Sequence, residues 1–235
     1  MGNLSDNTSF EEIRENYARI CDAISEASAS VGRKDRPRIM AVTKTVAPER
    51  VNYAIGLGID LLGENRVQEY MDKRESYSEA EVHFIGSLQT NKVKYIIDKV
   101  SMIHSVNSMR LAAEIDRRAE QHGLVMDILT EINIGEEETK SGISARDARA
   151  LCEEIAGLEH IRLRGLMCIP PPGCSESVLA SMQELFESLK SDLKNRDNTE
   201  FDTLSMGMSG DYAAATKFGA TIVRIGSALF GYRQY

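Results

Sequence analysis

The chain has 235 residues, a formal net charge of −8 at neutral pH, and 42% apolar residues. This charge argues against a general nucleic-acid binder, because phosphate backbones attract positive surfaces. No segment approaches the roughly 18 uninterrupted apolar residues of a membrane span, and the polar, acidic N-terminus lacks a secretory signal pattern. We therefore expect a cytoplasmic protein without nucleic-acid or membrane partners.

Cysteine spacing bears on metals and on compartment. The four cysteines form no CxxC pair and have no histidine at metal-ligand spacing, and they are Cys21, Cys152, Cys168 and Cys174. That usage is typical of free thiols in a reducing compartment. We expect no metal site and no disulfide.

Short apolar runs alternate with helical stretches along the whole chain. Thr8 or Ser9 can cap a first helix, whose first turn carries Glu11 and Glu12. Eight strands are then predicted, near 38–43, 59–63, 82–86, 101–105, 125–133, 161–168, 202–205 and 221–225. Helical segments separate successive strands, and parallel neighbours need such crossovers.

This alternation predicts an α/β fold, a TIM-type (β/α)8 barrel, with an open doubly wound sheet as the alternative. No linker or change in composition marks a boundary, so we expect one domain over 1–235. Residues 1–30 would form a helical extension that packs on the barrel.

Lys44 follows the first predicted strand, where a TIM barrel carries its working residues. Partial desolvation there would favour the neutral amine, which can attack an aldehyde and form a Schiff base. A lysine that only leaves the strand into solvent is the alternative.

Two small-residue segments predict an anion pocket across the same opening. Residues 205–210 (SMGMSG) follow the seventh predicted strand, and Gly226-Ser227 follows the eighth. Clustered backbone N–H groups and hydroxyls suit a phosphate. Together with Lys44, they indicate a phosphorylated aldehyde, although each segment alone is also typical of an ordinary turn.

Arg224 and the histidines remain open at this stage. Arg224 shares a strand face with Gly226, so it points inward if it reaches a ligand and outward if it only pairs with a helix carboxylate. The histidines (His83, His104, His122 and His160) are interpreted as structural, and the acidic Glu136–Glu138 stretch as solvated loop charge.

Several segments resemble the YggS/PROSC family of pyridoxal phosphate homeostasis proteins, which is related to the N-terminal barrel of alanine racemase. The resemblance runs from about Arg38 to the C-terminus. It rests on AVTKTVAPERV (41–51), GENRVQE (63–69), HFIGSLQTNKVK (83–94), SVN (105–107), KSGI (140–143), RGLMCIPP (164–171), LSMGMSGD (204–211) and VRIGSALFG (223–231).

The resemblance implies a cofactor, pyridoxal 5′-phosphate, and a role for individual residues. Lys44 would carry the Schiff base, Arg224 would face the pyridine nitrogen, and Asn65 would lie near the ring. The phosphate would be held by Ser205, Gly226 and Ser227, with Met206, Gly207 and Ser209 in the same segment. It assigns no individual role to His83, Gln89, Asn91 or Lys92.

The family is described as binding and buffering vitamin B6. We therefore expect a binding and delivery protein, a monomer or weak dimer that makes transient contact with apo-enzymes. An amino-acid racemase is the alternative; it needs an acid/base group on each face of the cofactor, and only the tail tyrosines Tyr232 and Tyr235 stand out as second candidates. An aldolase-type barrel that uses Lys44 is a third possibility.

Overall fold

The structure is a computed structural model that describes residues 8–135, 141–171, 173 and 175–231. Glu136–Glu138, Lys140, Cys174, Tyr232 and Tyr235 lie outside the described residues. Within these ranges there are nine strands: β1 Arg38–Val42, β2 Leu61–Glu64, β3 Glu81–Phe84, β4 Met102–Val106, β5 Met126–Asn133, β6 Ile143–Ser144, β7 Ile161–Cys168, β8 Thr199–Met208 and β9 Ile222–Ile225.

Eight of these strands close into a parallel barrel. The ladder runs β1-β2-β3-β4-β5-β7-β8-β9, and β9 pairs back with β1. The predicted TIM-type barrel is therefore confirmed over the open sheet, because an open sheet would leave both edge strands unpaired. The two-residue β6 pairs with β5 only and was not predicted. It is too short to produce an apolar pattern.

Helices surround the barrel. They are α1 Phe10–Ser30, α2 Pro48–Gly56, α3 Val67–Lys73, α4 Val93–Ile96, α5 Met109–His122, α6 Ala148–Ile155, α7 Glu176–Leu193, α8 Tyr212–Lys217 and α9 Ser227–Phe230. Among the described residues, none of these helices is long and apolar enough to cross a membrane.

The first helix begins at the capping residues that the sequence predicts. Ser9 and Glu12 form a reciprocal capping box, so Ser9 rather than Thr8 is the N-cap. Ile13, Ile20 and Ile24 are buried, and the helix packs mainly against α8 and α9. The N-terminal helix of the predicted fold is confirmed, whereas the limits 1–30 and 1–235 remain predictions.

One predicted boundary is wrong. The seventh strand was predicted to end at Ser205, but β8 continues through residues 206–208: Met208 pairs with Arg224 of β9, and Ser205 pairs with Met167 of β7 and with Ile222 of β9. Pairing on both sides overrides the weak strand preference of small residues.

The barrel interior is layered along its axis. An apolar middle layer consists of two clusters that are separate from the core under the helices, formed by Met40, Val42, Leu61, Ile85 and Ile222, and by Met102, Leu129 and Met167. Below it, at the N-terminal ends of the strands, Asp127 accepts hydrogen bonds from Arg162 (2.7 Å) and Arg164 (2.6 Å). Polar groups lie above it, so the interior is filled and its chemistry is confined to the C-terminal end.

We predict that Asp127→Asn lowers the free energy of unfolding by about 1–3 kcal/mol, because a nearly buried carboxylate that neutralises two guanidinium groups loses its charge. Urea unfolding would measure the change. The matched control is Asp192→Asn, since Asp192 pairs with Arg149 at the surface and should contribute less than about 1 kcal/mol. Equal effects of the two substitutions would contradict a special role for Asp127.

Candidate functional site

The candidate site lies at the C-terminal opening of the barrel, where the first, second, seventh and eighth barrel strands end. Lys44 lies two residues past β1, in a turn, and is half-buried. Met40 and Val42 belong to the interior cluster, and strand alternation places position 44 on the same side. Lys44 therefore does not simply leave the strand into bulk solvent.

Glu64 holds one side of the turn that carries Lys44. The Thr43 hydroxyl and the Tyr77 hydroxyl both donate to Glu64 Oε1, each at 2.7 Å. Glu64 is fully buried, and burial raises the pKa of its carboxyl group. These contacts fix the residue before Lys44.

The other side of the turn is held by Glu69 and Lys73. Glu69 accepts a hydrogen bond from the backbone N–H of Thr45 and one from Lys73 Nζ. Lys73 Nζ also donates to the Val46 carbonyl at 2.9 Å. Side chains of α3 therefore hold the backbone on the far side of Lys44.

Thr45 adopts a strained backbone conformation. Its φ is +62°, and it is the one non-glycine residue with a positive φ in the described part of the chain. A β-branched residue rarely adopts this conformation, and such strain persists where surrounding contacts impose it. The strain lies next to Lys44, which supports the interpretation that this turn has a functional geometry.

Backbone donors converge on the other side of the opening. Ser209 Oγ accepts hydrogen bonds from the N–H groups of Gly226 (3.3 Å) and Ala228 (3.1 Å). Two N–H groups and a hydroxyl at one point can bind an anion. Ser227 is half-buried beside them.

Arg224 points inward, which answers the question that strand alternation left open. It is 4% exposed, and Nη1 donates to both the carbonyl oxygen and the Oγ of Ser205, each at 2.7 Å. Its Nη2 donates to the Cys168 carbonyl at 2.7 Å. Burial lowers the pKa of the guanidinium, while nearby carboxylates such as Glu131 act in the opposite direction.

The remaining predicted residues divide into two groups. Asn65 follows β2, and its buried Oδ1 has no hydrogen-bond partner among the described residues. Met206 is fully buried in the core under the helices, and a Cβ on Gly207 would lie 2.5 Å from the Cβ of Ala215 in α8. The structure thus brings Lys44, Asn65, Ser209 and Gly226 to the opening, while Met206 packs on its outer side.

The segment at 83–92 could not be assigned residue by residue from sequence, and the structure separates its members. A Cβ on Gly86 would lie 2.0 Å from the Asn65 carbonyl oxygen, so glycine lets the backbone of Asn65 pass closely. Gln89 and Asn91 line a separate polar pocket of about 350 Å³ with Asn107, Ser108 and Arg110. His83 points into the barrel.

Sequence reasoning missed part of the interior. His83 and His104 were interpreted as isolated structural histidines, but they are hydrogen-bonded to each other at 2.9 Å, and His104 also contacts Ser205 Oγ at 3.1 Å. Counting alternate residues along β3 and β4 would have placed both on the inner face. The second partner of His104, Ser205, comes from β8 and could not be identified in this way.

These features define a class of protein: a parallel (β/α)8 barrel with a lysine, an anion-binding corner and a buried arginine at its C-terminal opening. Comparison with known proteins agrees. The sequence pattern of the alanine racemase N-terminal domain matches residues 10–234. A pyridoxal phosphate homeostasis protein of Aquifex aeolicus is 41% identical over 225 residues, which cover 94% of this chain and 98% of that protein.

Solved structures show the same fold. PipY of Synechococcus elongatus, solved with pyridoxal phosphate bound, superposes with a TM-score of 0.79 at 28% identity, over 93% of this chain and all of that one. An alanine racemase of Clostridium difficile shares the fold alone, at 16% identity and a TM-score of 0.74, over 96% of this chain and 57% of its own. The chain belongs to the alanine racemase N-terminal domain family and, within it, to the pyridoxal phosphate homeostasis proteins.

We predict that Thr45→Gly raises the free energy of unfolding by about 0.5–1 kcal/mol, because relief of the left-handed strain exceeds the added entropy of the unfolded chain. Thr90→Gly is the control: Thr90 is partly exposed, whereas Thr45 is exposed, and it has a negative φ, so the same change should cost about 0.5–1 kcal/mol. Guanidinium unfolding measures both. A loss of stability in Thr45→Gly as large as in Thr90→Gly would show that the turn is not strained.

Proposed function

We propose that this chain binds pyridoxal 5′-phosphate through Lys44 and takes part in vitamin B6 homeostasis, holding the cofactor and delivering it to apo-enzymes in the cytoplasm. The observation that carries the proposal is the position of Arg224, buried and held by two strands beneath the opening that Lys44 borders. Its relatives support the same cofactor, since one is a pyridoxal phosphate homeostasis protein and another was solved with pyridoxal phosphate bound.

The residues of this chain fit that cofactor. The N–H groups of Gly226 and Ala228 and the Ser209 hydroxyl already converge within 3.3 Å, which suits a phosphate. Asn65 Oδ1 is a buried acceptor that lacks a donor in the described part of the chain, and a ligand hydroxyl could satisfy it. We assign Ser227 to the same phosphate-side wall. Ser205, predicted from the sequence as a phosphate ligand, is fully buried with its hydroxyl between His104 and Arg224, so we propose that it acts through Arg224 instead.

Lys44 has the chemistry for reversible capture. Bound pyridoxal phosphate supplies an aldehyde that exchanges reversibly between amines. As a neutral amine, Lys44 Nζ would be the group that holds this aldehyde covalently, with one water molecule released on condensation. The contacts of Thr43 with Glu64 and of Thr45 with Glu69 hold the backbone of the lysine turn while this bond forms and breaks.

Arg224 favours holding over turnover. A guanidinium can donate hydrogen bonds but cannot accept them. Its remaining N–H groups, aimed at a pyridine nitrogen, would occupy the lone pair and disfavour protonation of the ring, which weakens the ring as an electron sink. We therefore propose a carrier with weak or no racemase activity, a monomer or weak dimer that meets apo-enzymes transiently.

We predict that borohydride reduction of the protein mixed with pyridoxal phosphate places the cofactor mass on the tryptic peptide that contains Lys44. Lys44→Ala should abolish both the label and the visible absorbance of the complex, because Lys44 is the amine that we assign to the aldehyde. The control is Lys92→Ala, whose exposed amine should be dispensable. Labelling of Lys92 or Lys217 in the unmodified protein would refute the assignment.

We also predict that Ser209→Ala weakens pyridoxal phosphate binding about ten- to a hundredfold, the effect of losing one hydrogen bond to a charged group. Binding of pyridoxal, which lacks the phosphate, should change less than about threefold. Ser177→Ala, an exposed serine on α7, is the control. Equal losses for the two ligands in Ser209→Ala would place the phosphate elsewhere.

The racemase alternative has its own test. Incubation of the loaded protein with alanine in deuterated buffer should leave the α-hydrogen unexchanged over hours. Rapid exchange that Lys44→Ala abolishes would contradict the carrier function and favour a racemase.

A further inference from the structure

We propose that Glu81, His83, His104 and Ser205 form a one-directional hydrogen-bond chain through the barrel that positions Arg224, so that the N-terminal end of the barrel controls the geometry of the site at the other end. The part that concerns the cofactor rests on the proposed function. The hydrogen-bond chain itself does not depend on that function.

The contacts are continuous. Glu81 Oε1 lies 2.8 Å from His83 Nε2, His83 Nδ1 lies 2.9 Å from His104 Nε2, and His104 Nδ1 lies 3.1 Å from Ser205 Oγ. Arg224 Nη1 lies 2.7 Å from the same Oγ. The four residues between Glu81 and the site opening are buried: His83, His104, Ser205 and Arg224.

This hydrogen-bond chain crosses the interior of the barrel and does not follow the barrel wall. His104 is on β4 and Ser205 on β8, and two strands, β5 and β7, separate them in the ladder. A side-chain contact between such strands must run through the interior. These polar groups therefore pass through the apolar middle layer.

Arg224 and Glu81, at the two ends of the hydrogen-bond chain, determine the direction of every hydrogen bond between them. Arg224 can only donate, so Ser205 Oγ accepts from it. Glu81 is ion-paired with Arg38 Nη1 at 2.7 Å, and the hydrogen bond from His83, with the help of Arg38, lowers the pKa of Glu81 to about 2. Glu81 is therefore an acceptor at neutral pH.

The inner links follow from these ends. His83 Nε2 carries a hydrogen and donates to Glu81, which leaves His83 Nδ1 to accept from His104 Nε2. His104 Nδ1 then accepts from the Ser205 hydroxyl, whose oxygen accepts from Arg224. Both histidines are neutral Nε2–H tautomers, and each donor and acceptor in the line is used once. Adding a proton at His83 Nδ1 would reverse the inner links and leave the Ser205 hydroxyl hydrogen without an acceptor in this line.

Other charges face this line from several sides. Asp60 and Arg38 lie beside Glu81, while Glu131, from β5, and Asp211 act on Arg224. Burial lowers the pKa of His104 well below its usual value, and the charge of Arg224, together with any charge on His83, acts in the same direction, in agreement with a neutral imidazole at His104. Ser205 is thus a positioning residue for Arg224, and the histidines hold Ser205 in turn.

The first test uses the protein without cofactor. Two-dimensional ¹⁵N NMR of the histidine rings at pH 8, assigned with His83→Gln and His104→Gln, should show both residues as Nε2–H tautomers. An Nδ1–H tautomer or an imidazolium at either position overturns the chain. This result is independent of whether pyridoxal phosphate binds.

The second test breaks the chain at its far end. Glu81→Leu removes the acceptor of His83 and should change the ring tautomers, shift the visible absorbance of the loaded protein, and weaken pyridoxal phosphate binding about tenfold, the scale of one lost hydrogen bond at the site. Glu81→Gln keeps an acceptor oxygen and should retain the tautomers and most of the affinity.

Asp60→Leu is the matched control. Asp60 is the other carboxylate that pairs with Arg38, at 3.2 Å, and it is not part of the histidine chain. It should leave tautomers, absorbance and affinity unchanged. Equal effects of Asp60→Leu and Glu81→Leu, or native affinity and absorbance in Glu81→Leu, would overturn the positioning role. Failure of the unmodified protein to bind pyridoxal phosphate would instead refute the proposed function.

Discussion

The structure depends on how one buried cation is satisfied. Arg224 is inside the barrel, where an unpaired charge would be very costly. Its hydrogen bonds reach the Ser205 carbonyl and hydroxyl on β8 and the Cys168 carbonyl on β7. Arg224 on β9 is thereby linked to both preceding strands of the ladder, and a charge that would otherwise oppose folding defines the geometry of the opening.

The backbone on the lysine side of the opening is held in a different way. Its turn is strained at Thr45 and is held by carboxylates on β2 and α3, Glu64 and Glu69. Rigid elements on both sides of the opening make the distance between lysine and arginine a property of the barrel rather than of a loop. Such preorganisation suits a protein that binds one small ligand and releases it intact.

Ion pairs and apolar side chains fill the rest of the barrel interior, so the C-terminal opening is its reactive end. Asp127 with Arg162 and Arg164 occupies the N-terminal end, and methionine, leucine and isoleucine side chains fill the middle. The histidine line that crosses this apolar layer connects the two ends without opening a channel, since its residues are buried.

The sequence by itself determined the α/β alternation with its eight barrel strands, the start of the first helix near Ser9 and the position of Lys44 after a strand, because these follow from local periodicity, capping chemistry and chain order. Tertiary structure decided the rest. That β8 continues through Met208, that Arg224 points inward and that His104 meets Ser205 depend on pairing between strands far apart in sequence. The strain at Thr45 likewise arises from Glu69, 24 residues away. Alternation along a strand indicates which face of the sheet a residue occupies. Which side chain it meets across the interior is determined only when the barrel closes.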